Sequence, residues 1–128
     1  MKVLITGVTG RVGRNLSAAL IASGDEVRGL VLPDDPNLKQ AEASGVECVV
    51  SNLRDEAAVA EAVKGVDAII HLGAVMLWGD AKQNKILFED NVRGTFNLLN
   101  AAAIHTPDLK RFVFASSDEI YPSLFAKH

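Results

Sequence analysis

Thr6-Gly7-Val8-Thr9-Gly10-Arg11-Val12-Gly13 follows directly on the apolar run Val3-Leu4-Ile5 and leads into a segment where Val12, Leu16, Ala19 and Leu20 recur at helical spacing. A buried strand, a glycine turn and a helix in that order are the one setting in which such glycines have a mechanical meaning. Gly7 permits the tight turn, Gly10 lets a backbone approach a pyrophosphate, and Gly13 lets helix and strand pack closely. The helix start then offers unpaired N–H groups and a positive dipole end to an anion. The spacing is G-x-x-G-x-x-G rather than G-x-G-x-x-G, and no Lys-Ser/Thr pair of a P-loop follows. A glycine triplet alone is weak, and turn glycines with no ligand remain the plain alternative.

Outward from that loop the chain alternates. The first helix, 11–23, stops at Gly24, and Val27–Leu32 reads as a second strand closed by Pro33-Asp34-Asp35-Pro36. A short helix over 37–44 ends at Gly45, and Val46–Val50 is a third strand. Asp55 is placed to cap a helix carrying Ala57, Val59, Ala60 and Val63 up to Gly65. Val66–Leu72 is a fourth strand, one long helix is expected from Lys82 or Asn84 to Ala103, and Arg111–Ser116 is a fifth strand. Strands alternating with helices require right-handed crossovers, hence an α/β fold with a doubly wound parallel sheet. No repeat or linker divides it, so 1–128 is expected to be a single domain.

The 128 residues are 48% hydrophobic and 23% charged, enough for one core and too few for two ordinary domains. The net charge of −3 supplies no basic excess for phosphate backbones, which argues against nucleic acid as a partner. Gly7, Thr9, Gly10, Arg11 and Gly13 interrupt the apolar start as a signal peptide would not, and no stretch approaches the ~18 apolar residues of a membrane span. The single Cys48 suits a reducing, cytoplasmic setting, where it reads as an inert thiol buried in the third strand. No metal-ligand set is assigned.

Four further segments accompany the glycine loop: Asn52-Leu53-Arg54-Asp55, His71-Leu72-Gly73-Ala74, Asn91-Val92-Arg93-Gly94-Thr95 and Phe114-Ala115-Ser116-Ser117-Asp118-Glu119-Ile120-Tyr121. In this order, spread over nearly the whole chain, they resemble the amino-terminal part of an extended short-chain dehydrogenase/reductase. The family is the NAD-dependent epimerase/dehydratase one, whose members act mostly on nucleotide sugars. The resemblance implies a Rossmann-like sheet of about five strands, with Arg11 and Val12 against the pyrophosphate. It implies Asn52 and Leu53 at the adenine, although the family usually has Asp where Asn52 stands. An Asn amide oxygen can still accept from the adenine amino group, and a polar loop residue is the alternative. Leu72, Gly73, Ala74, Val75 and Met76 would line the ribose and nicotinamide side, and Asn91 would lie beside the cofactor. His71 is read as a hydrogen-bonded structural residue rather than a catalytic one.

The cofactor is expected to be NAD, with NADP as the alternative. A ribose-binding acid belongs near Val31 or Leu32, and neither is acidic. Asp34 and Asp35 are close enough to substitute and would repel a 2′-phosphate; Arg11 could instead accept one.

At the carboxyl end, Ser117 aligns with the family's substrate-positioning serine. Asp118 and Glu119 resemble the acid pair of sugar-nucleotide dehydratases, or else are two solvated carboxylates. The family's catalytic Tyr-x-x-x-Lys pair is not found: the single tyrosine, Tyr121, has Phe125 at its fourth place, and Lys127 stands six away. The chain is therefore expected to be a truncated member without its substrate region, inactive alone; a non-catalytic NAD(P)-binding or sensing module is the rival. The partners expected are a dinucleotide, a small-molecule substrate in the full-length relative, and further copies in a homo-oligomer, since the missing helix would leave Phe96 and Leu99 uncovered.

Overall fold

A computed structural model describes residues 1–76 and 83–117. Five strands, β1 (Lys2–Thr6), β2 (Glu26–Val31), β3 (Glu47–Val50), β4 (Ala68–His71) and β5 (Arg111–Phe114), form one sheet in the order β3-β2-β1-β4-β5. All four pairings are parallel. Their connections carry helices α1 (Arg11–Ala22), α2 (Leu38–Ala43), α3 (Glu56–Val63), α4 (Asn84–Leu87) and α5 (Gly94–His105). The order runs outward from β1 in one direction for β2 and β3, and in the other for β4 and β5. The carboxyl ends of β1 and β4 therefore flank a crevice that neither run of helices can cover.

Successive side chains of each strand point to opposite sides, and the central strands β1, β2 and β4 are largely buried on both, whereas the edge strands leave Val50 of β3 and Val113 and Phe114 of β5 about half exposed. Val3 and Ile5 join Val27, Val31 and Val46 on one face, where Leu16, Leu20 and Ile21 of α1 and Leu38 of α2 cover them. Leu4 and Ile69 face the other way into a cluster with Val59, Ala62 and Val63 of α3 and Leu98, Ala101 and Ala102 of α5. Asp55 caps α3 as expected, its Oδ1 accepting the Ala58 N–H at 3.0 Å. Cys48 in β3 is only partly buried rather than buried as expected, and that burial raises its thiol pKa, which favours the protonated form.

Several expected elements are corrected, the fourth strand among them, which spans Ala68–His71 rather than 66–72. The helix after β4 is not uniform: between α4 and α5 lies a π-helical segment, Phe88–Arg93, in which the Gly94 N–H reaches back to the Glu89 carbonyl. The extra residue in the turn is held by bonds made outside the helix. Asp90 pairs with Arg54 at 3.0 Å, and the Asn91 side chain is bound to the backbone of Val75. These contacts accompany a departure from the single regular helix expected here. The fifth strand also ends at Phe114, two residues before the expected Ser116.

Candidate cofactor cleft

A cleft of about 570 Å³ opens at the crevice between β1 and β4. Every residue that the sequence assigns to a cofactor lines it: Gly7, Gly10, Arg11, Val12 and Gly13 from the first loop, Asn52 and Leu53 from the loop after β3, Leu72 to Met76 after β4, and Asn91 from the π segment.

The glycines of the first loop divide into two kinds. Gly7 has φ +71°, a left-handed conformation, and a Cβ there would lie 2.9 Å from the Gly73 nitrogen. A Cβ on Gly13 would lie 2.2 Å from the Gly7 carbonyl oxygen and 2.7 Å from the Val8 Cα. Both positions are required by the protein's own backbone. Gly10 is different: its φ of −72° and ψ of 171° suit any residue, and its Cβ would meet only the Gly7 oxygen, at 3.2 Å. The space beside Gly10 is the cleft, in front of the first turn of α1. That cradle fits a pyrophosphate, which needs close backbone approach and unpaired N–H donors.

The rest of the lining mixes apolar and polar residues. Val12, Leu32 and Met76 line the cleft yet expose 65%, 53% and 77% of their surface. Asp35 lines it and Asp34 does not. The Asp35 carboxylate is fixed there because Oδ2 accepts the Thr9 hydroxyl at 2.6 Å and Oδ1 accepts the Asn37 N–H at 2.8 Å. Each oxygen keeps a lone pair for a ligand. The Asn52 amide oxygen accepts the Arg54 N–H at 2.8 Å, which holds its loop in shape and leaves one acceptor site. Leu53 is seated on α5: its carbonyl accepts from the Asn97 amide at 3.0 Å, and a Cβ on Gly94 would lie 2.7 Å from the Leu53 Cβ.

His71 is buried at the end of β4, with Nδ1 2.5 Å from the Thr6 hydroxyl and Nε2 2.8 Å from the Thr95 hydroxyl. Burial lowers its pKa below the ordinary 6.5, so the ring is neutral at pH 7. The Asn91 amide binds Val75 on both sides, accepting its N–H at 2.7 Å and donating to its carbonyl at 2.8 Å.

Ala115 lines the cleft, whereas Ser117, two residues on, is exposed. Asp118, Glu119 and Tyr121 lie outside the described residues. Sequence reasoning gave no role to Ser51 and Asp90, which line the cleft, or to Thr9, which both lines it and holds Asp35. Thr9 lies in the first glycine loop, where a hydroxyl is the signal that points to it.

A parallel sheet with its order reversing at β1 and β4, and a glycine-lined cleft at the reversal, defines a Rossmann-type α/β domain. The chain belongs to the NAD dependent epimerase/dehydratase family, whose model matches residues 3–127. It is 33% identical over 120 residues to an L-arabinose 1-dehydrogenase (NAD(P)(+)) of Haloferax volcanii, covering 94% of this chain and 42% of that one. It is 29% identical to a UDP-glucose 4-epimerase of Klebsiella pneumoniae, covering 94% of this chain and 92% of the relative. Among solved structures, a short-chain dehydrogenase/reductase superfamily protein from Agrobacterium tumefaciens with bound NAD superposes with a TM-score of 0.81 at 43% identity. That match covers 95% of this chain and 34% of the other. The chain thus spans well under half the length of the arabinose dehydrogenase and of the Agrobacterium protein.

Proposed function

We propose that residues 1–128 are the NAD-binding portion of an epimerase/dehydratase-type oxidoreductase acting at an alcohol carbon of a sugar or related substrate. The observation that supports it most is the cleft itself, where the loops after β1, β2, β3 and β4 and the first turn of a helix meet around a glycine that the protein's own backbone does not require. Bound NAD would supply the hydride acceptor. The chain's part is to seat the pyrophosphate at Gly10 and the α1 amino terminus. Val12 would lie against the pyrophosphate with Arg11, Leu32 and Met76 would cover the rings, and Asn91 would hold the Val75 wall.

NAD is favoured over NADP because Asp35, held by Thr9, brings a carboxylate into the part of the cleft beside β2. A hydroxyl can donate to that carboxylate, while a 2′-phosphate would be repelled by it. Calorimetric titration should give NAD binding at least about tenfold tighter than NADP, and Asp35→Ala should narrow the ratio toward one. Equal affinity of the wild type for both would remove Asp35 from this role, and no binding of either would remove the cofactor assignment.

The single tyrosine, Tyr121, lacks a lysine at the fourth place. General acid–base catalysis contributes about 10²–10⁴-fold, so 1–128 alone should show no measurable turnover. An absorbance assay with NAD and a panel of nucleotide sugars tests this. Turnover that disappears in Tyr121→Phe would make Tyr121 the proton carrier and overturn the prediction. Such a chain would be read as a binding or sensing module only if NAD bound tightly without turnover in its longest natural form as well.

Self-association is proposed on a separate observation. Phe88, Val92, Phe96 and Leu99 recur at three- and four-residue intervals along the α4-to-α5 stretch, and each is about half exposed or more. A stripe of that size in water favours a second copy. Light scattering at rising concentration should show dimers or larger species; a monomer throughout would refute it.

A further inference from the structure

His71 is a buried titratable side chain to which the proposed function assigns no part, and its hydrogen bonds can be given a direction. A hydroxyl has one proton. Thr95 spends it on the Asn91 carbonyl, 2.6 Å away, so its oxygen must accept from His71 Nε2–H. With Nε2 protonated in a neutral ring, Nδ1 is an acceptor and takes the Thr6 hydroxyl proton. The Thr6 oxygen in turn accepts the Gly73 N–H at 3.0 Å. One oriented chain of bonds therefore runs from the Gly73 amide through Thr6, His71 and Thr95 to the Asn91 carbonyl. Thr6 and His71 are 1% and 2% exposed, so water cannot replace a lost partner.

The two ends of this chain are the two walls of the cleft. Thr6 and Gly73 are where the glycine turn touches the loop after β4, the contact that leaves no room for a Cβ on Gly7. Asn91, whose main-chain carbonyl receives the Thr95 hydroxyl, clamps Val75 with its side-chain amide. We propose that His71 is a positioning residue for the cleft: it sets the phosphate-side turn, through Thr6, and the Val75 wall, through Thr95 and Asn91, in one fixed relation. Thr95 itself does not line the cleft, so its effect on a ligand must pass through these bonds. The ligand half of the inference rests on the NAD reading above; the coupling of the two walls does not.

The test is amide hydrogen exchange and NAD titration on the 1–128 chain, comparing Thr95→Val, which keeps the shape and loses the hydroxyl, with Thr95→Ser, which keeps the hydroxyl. Thr95→Val should speed exchange at both Gly73 and Val75 by roughly tenfold while leaving Ile5 in the sheet unchanged. It should weaken NAD by about fivefold or more, and Thr95→Ser should restore both. Unchanged exchange at Gly73 in Thr95→Val overturns the coupling. Faster exchange at Gly73 with unchanged NAD affinity overturns the positioning role. Absence of NAD binding in the wild type defeats the cofactor reading, and exchange at Gly73 still decides the coupling. Should Thr95→Val fail to fold, nitrogen chemical shifts of the wild-type imidazole decide: an Nε2-protonated neutral ring is expected, and an Nδ1-protonated ring would reverse the chain and refute the proposal.

Discussion

Gly10→Val should abolish NAD binding in calorimetry while the far-ultraviolet spectrum and cooperative unfolding remain. The isopropyl group would fill the cradle in front of α1, where a pyrophosphate must come within hydrogen-bonding distance of backbone N–H groups. Losing those contacts should weaken affinity by at least about a hundredfold, roughly 2.7 kcal/mol. The cost to the fold is small by comparison. Gly10 already has an extended backbone that a β-branched residue accepts, and its nearest neighbour is the Gly7 oxygen at 3.2 Å. As the residue capping α1 it offers no side-chain bond to lose. Valine is a poorer cap than glycine by about 1 kcal/mol at most. A variant that binds NAD as the wild type does would show that the ligand does not sit at this loop.

Much of this arrangement is readable in the sequence because it follows from the order of elements. Once strands alternate with helices, the sheet is parallel and the loops after β1, β3 and β4 gather at one end of it. Residues as distant as Gly10, Asn52 and Val75 then face one another for topological reasons alone. What the sequence leaves open depends on a single side chain reaching across the fold. Asp34 and Asp35 look alike in the chain; the Thr9 hydroxyl, 26 positions earlier, distinguishes them. The π segment hides inside what reads as one long helix, since the bonds that accompany it, Asn91 to Val75 and Arg54 to Asp90, reach outside that helix. Thr6 and Thr95 pass as an ordinary strand residue and an ordinary helix residue. Their importance appears only with the imidazole that joins them. Ser117 shows the opposite case: a position aligned by resemblance whose exposed place after β5 is not explained by the strand itself.

Gly13→Ala, three residues from Gly10, should fail in the opposite manner, by unfolding. Two effects compete. Alanine in a helix is favoured over glycine by about 1 kcal/mol, and Gly13 lies in the first turn of α1. Against this, the new Cβ would sit 2.2 Å from the Gly7 carbonyl oxygen, 2.7 Å from the Val8 Cα and 2.9 Å from the Gly7 carbonyl carbon. All three are backbone atoms of the turn, so no side chain can rotate away; α1 must lift from β1. That movement opens the face where Leu16, Leu20 and Ile21 cover Val3 and Ile5. The penalty should reach about 4–5 kcal/mol, a large share of the roughly 5–15 kcal/mol that holds a domain together. NAD cannot repair it, since even a ligand at a hundred times its dissociation constant adds only about 2.7 kcal/mol. Urea unfolding followed by circular dichroism should find the midpoint far below that of the wild type, or no folded baseline, with and without NAD. A wild-type midpoint for Gly13→Ala would mean that α1 does not press on the glycine turn at all, and the separation of Gly13, needed by the fold, from Gly10, needed by the ligand, would collapse.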